Sequence, residues 1–166
     1  MASAVHVPAY VALGSNLDDP VAQLRRALDA LDGLPGTRLV ARSSLYRNPP
    51  LGPQDQPDFV NAVAGLLTTL PATALLAALQ AIEDAQGRRR DGPRWGPRTL
   101  DLDLLAYGHL RLDSEALVLP HPGLASRPFV LVPLHEIAPG LQLPGGASVA
   151  RLAAAADRSG LERLDG

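Results

Sequence analysis

The spacing of apolar positions changes several times along the chain, and each change marks an element. Val5 to Leu13 is β-prone and ends at Gly14-Ser15-Asn16, a turn cluster, which predicts a first strand. Asp19-Pro20 reads as an N-cap followed by proline at the first helical position. Val21, Leu24, Ala27, Leu28 and Leu31 then recur at helical spacing, and Gly33 closes the helix. Thr37 to Tyr46 predicts a second strand. Asn48 to Pro57 holds four prolines and a glycine in ten residues, which excludes regular structure and leaves room for a functional loop. Phe59 to Thr68 predicts a third strand. Pro71 to Gln86 predicts a second helix, with Leu75, Leu76, Leu79 and Ile82 on one stripe and Gly87 as the stop. Residues 88–98, RRRDGPRWGPR, form a second irregular loop. Leu100 to Tyr107 then reads as a fourth strand, with a short hairpin expected around Gly108-His109. The order β-α-β-β-α-β predicts an α+β, ferredoxin-like antiparallel sheet with helices on one face. An accessory C-terminal region follows residue 108, with a terminal helix expected from about Ser148.

Composition narrows the function classes. A chain of 166 residues fits one domain, 1–166, and 46% apolar with 19% charged residues is a globular balance. There is no cysteine, which excludes disulfide scaffolds, thiolate metal sites and cysteine nucleophiles. A net charge of −2 excludes a globally basic nucleic-acid binder. All 15 basic residues are arginine, so no lysine Schiff base or P-loop lysine is available. No apolar run reaches the ~20 residues of a membrane span, and the N-terminus lacks the charged flank and apolar core of a signal peptide. The expectation is a cytoplasmic monomer acting on small molecules, with no nucleic-acid or membrane partner.

The sharpest chemical signal is Leu100-Asp101-Leu102-Asp103-Leu104. Strand alternation points both aspartates one way and the leucines the other. Such a pair is either two solvated acids on a half-exposed strand or a hard-oxygen platform for divalent metal. The preceding loop favours the platform, because Arg88, Arg89, Arg90, Arg94 and Arg98 fall in eleven residues opposed only by Asp91. Guanidinium forks match phosphate oxygens, so the loop reads as a polyphosphate clamp. Trp95 lies mid-loop, where core packing is not expected. Gln80 and Glu83 share a helix face that ends at this loop; ordinary surface residues are the plainer alternative. Gly14-Ser15-Asn16 offers a phosphate-binding turn at a helix N-terminus, though a structural turn is favoured. His121 stands out among the histidines because Pro120-His121-Pro122-Gly123 holds it in an irregular loop. Phe59, with Asn61 two residues on and facing the same way, and Phe129, after Arg127-Pro128, could flank a planar heterocycle or simply fill the core.

In combination these segments resemble a known family. Residues 94–105, RWGPRTLDLDLL, are similar to the signature of 6-hydroxymethyl-7,8-dihydropterin pyrophosphokinases of the folate pathway, and RNPPLGPQDQPDFVN at 47–61 resembles that family's pterin-side loop and strand. AYVALGSNL and QAIEDAQGR match as well, so the resemblance runs from about Tyr10 to Pro139. It implies a ferredoxin-like enzyme that moves pyrophosphate from ATP to the pterin hydroxymethyl group and releases AMP. It further implies two Mg²⁺ ions on Asp101 and Asp103, with Arg88 and Arg98 stabilising developing charge. Gln80, Glu83, Arg88, Arg90, Trp95, Arg98, His121 and Arg127 would surround the nucleotide, with Leu76 and Leu104 against adenine. Phe59 and Phe129 would sandwich the pterin and Asn61 would read its pyrimidine edge. Backbone groups at Asn48 and Leu51 would add hydrogen bonds, and Trp95 would border the pterin as well. Ala116 and Val118 stand where some relatives carry arginine and threonine, and Phe59 and Pro122 where tyrosine is common.

Phosphoryl-type transfer asks for alignment and charge neutralisation, so no general base is assigned. The two irregular loops are expected to close over the substrates and exclude water. A rival reading is a nucleotidyltransferase using the aspartate pair, although Gly14-Ser15 lies far from 101–103 for that arrangement. Release of AMP distinguishes the pyrophosphokinase from a nucleotidyltransferase, which frees pyrophosphate. A binding module without catalysis is the third reading, and the acid pair and arginine loop argue against it.

Overall fold

A computed structural model describes residues 5–50, 55–87 and 99–164. The central strand of the sheet is β4 (Phe59–Thr68), as the sequence predicts. It pairs antiparallel with β1 (Val7–Ser15) on one side. Its other side is shared by β2 (Thr37–Arg42) and β3 (Tyr46–Asn48). β5 (Asp101–Tyr107) pairs with β1 at one edge, and β8 (Glu162–Arg163) with β3 at the other.

The stretch 37–46 is thus two strands rather than one. The break has a local cause: Ser43 Oγ accepts the Val63 N–H at 2.9 Å, taking the place of a backbone carbonyl in the ladder. Ser44 then turns its N–H and hydroxyl toward Glu136. The hairpin expected around Gly108-His109 is also displaced. After that turn β6 (Leu112–Asp113) pairs with β7 (Val118–Leu119) in a separate two-stranded sheet, and neither joins β5.

Both predicted helices form, α1 (Pro20–Asp32) and α2 (Ala72–Ala85). Asp19 caps α1 through Oδ1, which accepts the Ala22 N–H, and Pro20 occupies the first turn. Their apolar stripes (Leu24, Leu28, Leu31; Leu75, Leu79, Ile82) pack on Val11, Leu13, Leu102 and Leu104, which share one sheet face. The alternate residues Ala12, Val63 and Leu105 face the other way. There the accessory region supplies α3 (Pro128–Ile137) and α4 (Val149–Ala155), which bury Val130, Leu131, Leu134, Val149 and Ala153. α4 begins after Ser148, as the sequence predicts, and the Ser148 hydroxyl accepts the Arg151 N–H. On this face Ile137 of α3 rests on Gly65, where a Cβ would stand 3.6 Å from Ile137 Cδ1. Among the described residues, no helix is long and apolar enough to cross a membrane.

Candidate active site

The strand register assembles a polar floor on the α3 face of the sheet. Directly opposed residues in antiparallel strands share a face. Tyr46 opposes Asn61, Asn61 opposes Gly14, and Gly14 opposes Asp101, which makes one row across four strands. The neighbouring rows on the same face carry Asn48 opposite Phe59, and Val63 opposite Ala12 opposite Asp103. The aspartates therefore point away from Leu102 and Leu104, as alternation predicts, and Asp103 keeps 42% of its side chain exposed. Gly14 sits at the centre. A Cβ there would lie 2.9 Å from Asn61 Oδ1 and 4.0 Å from Phe59 Cδ1, so any side chain would fill the floor. Phe59 and Phe129 are both half-buried, and Phe129 packs against the cluster that includes Ala12 and Val63, on the floor's side of the sheet.

His121 and Arg127 join the aspartates from the accessory region. His121 is tied to β5 by its backbone N–H, which donates to Leu105 O at 2.9 Å. Its Nδ1 accepts the Gly123 N–H at 3.0 Å, and its Nε2 lies 4.0 Å from Asp103 Oδ1. Burial first, and the Arg127 guanidinium second, push the imidazole below its usual value, with Asp101 opposing. The ring is then neutral at pH 7 and carries its proton on Nε2, facing the carboxylate. The Arg127 guanidinium folds over Gly123 so closely that a Cβ there would stand 2.5 Å from Cζ, so a side chain at 123 would push the guanidinium aside. The cluster combines hard oxygen donors, one fixed N–H and one permanent cation, a set suited to metal-bound phosphates.

Two buried polar groups hold this arrangement from behind. Glu83 is 2% exposed, so it is no surface residue, and its Oε2 accepts the Leu102 N–H at 2.8 Å. That N–H lies on the open edge of β5 between the two aspartates, so Glu83 secures the strand that carries them. Asn16 Nδ2 donates to Gln56 Oε1 and to Pro57 O, both at 2.9 Å, which ties the end of β1 to the proline-rich loop. The Gly14-Ser15-Asn16 segment is accordingly structural. It is strand through Ser15, and α1 begins only after Asp18 and Asp19, whose negative charges do not favour an anion there.

Other expected residues are dispersed. Gln80 is exposed on α2, and Leu76 is half-buried against the α1/α2 core. Leu104 is 2% exposed in that core, on the face opposite the aspartates. Ala116 is exposed between β6 and β7, and Val118 lies in β7. Leu51, Arg88, Arg90, Trp95 and Arg98 lie outside the described residues. The sequence reading missed a clamp between α3 and β3. Glu136 accepts the Tyr46 hydroxyl at 2.6 Å and the Ser44 N–H and hydroxyl at 2.9 and 3.0 Å. Burial pushes the Glu136 carboxyl up, but these hydrogen bonds outweigh it and hold the group below its ordinary value. No local sequence signal marks this pair, because its two residues are 90 positions apart and Glu136 lies in a helix without an amphipathic period.

Comparison with known proteins follows the same segments. Residues 10–139 match the family model described as 7,8-dihydro-6-hydroxymethylpterin-pyrophosphokinase (HPPK). The chain is 57% identical over 157 residues to the 2-amino-4-hydroxy-6-hydroxymethyldihydropteridine pyrophosphokinase of Pseudomonas aeruginosa, covering 95% of this chain and 96% of that one. It is 53% identical over 146 residues to the protein of the same name from Haemophilus influenzae, covering 88% and 91%. Among solved structures, a Plasmodium falciparum HPPK-DHPS triple mutant with pteroate matches with a TM-score of 0.73 at 12% identity. That match covers 95% of this chain but 46% of the other, so the chain spans less than half the length of that solved relative, and the likeness is one of fold.

Proposed function

We propose, from the premise that this chain belongs to the 7,8-dihydro-6-hydroxymethylpterin-pyrophosphokinase family, that the polar floor is where its two substrates meet. The chain is an ATP-dependent pyrophosphokinase of folate biosynthesis, which transfers pyrophosphate to the hydroxymethyl group of 6-hydroxymethyl-7,8-dihydropterin and releases AMP. The observation that carries the assignment of the site is the row Asn61–Gly14–Asp101. It sets a planar-edge reader and a carboxylate two strands apart, roughly 10 Å. A bicyclic pterin held at its pyrimidine edge by Asn61 spans that gap with its hydroxymethyl group toward the acids.

In this reading Phe59 and Phe129 stack on the ring and confine it to a plane, and Asn61 fixes its place within that plane. Asp101 and Asp103 fit magnesium by donor chemistry, being two hard-oxygen groups on one face with access to solvent. Two Mg²⁺ ions, when bound, would neutralise phosphate charge and favour in-line attack. His121 offers its Nε2–H, and Arg127 its guanidinium, to the phosphate oxygens. Glu83 keeps β5 in place, so the carboxylates need not reorganise as the reaction proceeds. Arg88 and Arg98 are assigned to the transferring group, and Arg90, Trp95, Gln80 and Leu76 to the nucleotide, on the family resemblance; Leu104, closed in the α1/α2 core, is not available for the adenine contact expected of it. We read residues 1–166 as one domain, a monomer acting in the cytoplasm on small molecules.

The test is product analysis by ³¹P NMR after incubation with Mg-ATP and 6-hydroxymethyl-7,8-dihydropterin. The expected products are AMP and a pterin carrying a diphosphate. Free pyrophosphate with a nucleotidylated pterin would overturn the assignment of the transferred group, and ATP left intact would favour a binding module.

A further inference from the structure

An asparagine amide has two faces of opposite character, an acceptor oxygen and a donor NH₂, and rotating it by half a turn exchanges them with little change of shape. A site that reads a heterocycle with one amide must therefore hold that amide one way round. The floor contains the means to do so. Asn61 Nδ2 donates to Asn48 Oδ1, and Asn48 Nδ2 donates in turn to Pro49 O at 3.0 Å. Asn48 and Asn61 are 8% and 6% exposed, so water does not readily substitute for either partner.

The direction of this chain is imposed at its far end. A backbone carbonyl can only accept, so Asn48 must turn its NH₂ toward Pro49, which leaves its oxygen toward Asn61. Asn61 must then turn its NH₂ toward Asn48, and its Oδ1 comes to lie over Gly14, 2.9 Å from where a Cβ would be. Among the described residues, that oxygen accepts no hydrogen bond. The 2-amino-4-hydroxypteridine named for the relatives carries N–H donors at its 2-amino group and, in the lactam form, at N3, flanked by acceptors at O4 and N1; opposite those donors an acceptor oxygen is satisfied and an NH₂ is repelled.

We infer that Asn48 is a positioning residue whose side chain fixes the Asn61 amide with its oxygen toward the ligand, and so selects pteridines bearing the 2-amino donor. This rests on the reading that Asn61 meets the pyrimidine edge. Asn48 acts through Asn61 and not through the reacting atoms. An apolar isostere at 48 would release the Asn61 amide to turn either way. An aspartate at 48 would restore the direction, because a carboxylate can only accept and again compels Asn61 to donate.

Calorimetric titration of 6-hydroxymethyl-7,8-dihydropterin and of its 2-deamino analogue tests this on four proteins: unsubstituted, Asn48→Leu, Asn48→Asp and Asn61→Ala. For Asn48→Leu the preference for the 2-amino compound is expected to fall roughly tenfold, the size of one hydrogen bond. KM for the pterin should rise while KM for ATP stays, and Asn48→Asp should recover most of the preference. A wild-type preference in Asn48→Leu, with Asn61→Ala weakened, would overturn the positioning role alone. Unchanged pterin affinity in Asn61→Ala would overturn the underlying reading and the inference with it. Equal losses for ATP and pterin in Asn48→Leu, without recovery in Asn48→Asp, would mean a purely structural residue and also overturn it.

Discussion

The two faces of the sheet are built from the same strands and differ in what their alternate residues do. On the α1/α2 face, Val11, Leu13, Leu102 and Leu104 close completely against two amphipathic helices and leave no room for a ligand. On the other face α3 and α4 cover Val63 and Leu105, and beyond α3 the same strands turn polar, with Asn48, Asn61, Asp101 and Asp103. Strand periodicity thus lets stability and chemistry be specified almost independently, one residue apart. A single strand such as β5 contributes to both.

Substitutions along β5 sharpen that contrast most. Asp103→Ala is expected to lower kcat by roughly a hundredfold or more, because it removes an electrostatic contact to the transferring phosphates, while its melting temperature stays close to the parent's. Leu102→Ala should do the reverse, costing about 2–5 kcal/mol of stability by opening a core cavity. Steady-state kinetics beside thermal unfolding reads both. If Asp103→Ala unfolded early and Leu102→Ala alone lost activity, the division between faces would be broken.

Next in size is Phe59→Ala, which removes one stacked face worth about 1–3 kcal/mol. Pterin affinity should fall by one to two decades and ATP affinity little, as measured by calorimetry. A core phenylalanine would instead lower stability and both affinities together.

Glu83→Ala probes the junction between the faces. It leaves the buried Leu102 N–H without its acceptor, a loss of about 1–3 kcal/mol. Denaturant unfolding should show that loss, and Glu83→Gln, which retains an acceptor oxygen, should recover most of it.

How far the sequence anticipates this division follows from what each element depends on. β4 is legible because an unbroken β-prone run has clear turn signals at both ends, and the aspartate pair because alternation is a property of any strand. The break at 43–45 is not, since it depends on Ser43 Oγ replacing a backbone acceptor of a strand 20 residues away. α3 escapes because it is apolar nearly all round and carries Pro133 inside, so no amphipathic period marks it. The burial of Glu83 is invisible for a related reason: helical spacing says which residues share a stripe, not what packs on it.

The smallest expected effect lies at the Tyr46–Glu136 clamp, which joins the polar face to α3. Burial first, then the hydrogen bond to Glu136, push the Tyr46 hydroxyl up to about 12 from 10.0. Its contribution to stability is therefore complete below pH 10 and lost as pH rises through about 12. Glu136, held below its ordinary value, contributes above the usual carboxylate range, and that part is lost on acidification through its lowered pKa. Ultraviolet titration of tyrosinate should find Tyr46 ionising earlier in Glu136→Gln, with little change in kcat. An unaltered titration would show that the clamp does not couple the two groups.

The central claim is that the polar part of the α3 face, and not its apolar counterpart, receives both substrates. A crystal structure with Mg²⁺, a non-hydrolysable ATP analogue and 6-hydroxymethyl-7,8-dihydropterin tests it most directly. The expected result is a pterin over Gly14, its pyrimidine edge at Asn61 and its hydroxymethyl group toward metal-bound phosphates at Asp101 and Asp103. Pterin or phosphates bound instead in the groove lined by Arg25, Arg42 and Arg163, with the floor empty, would contradict it.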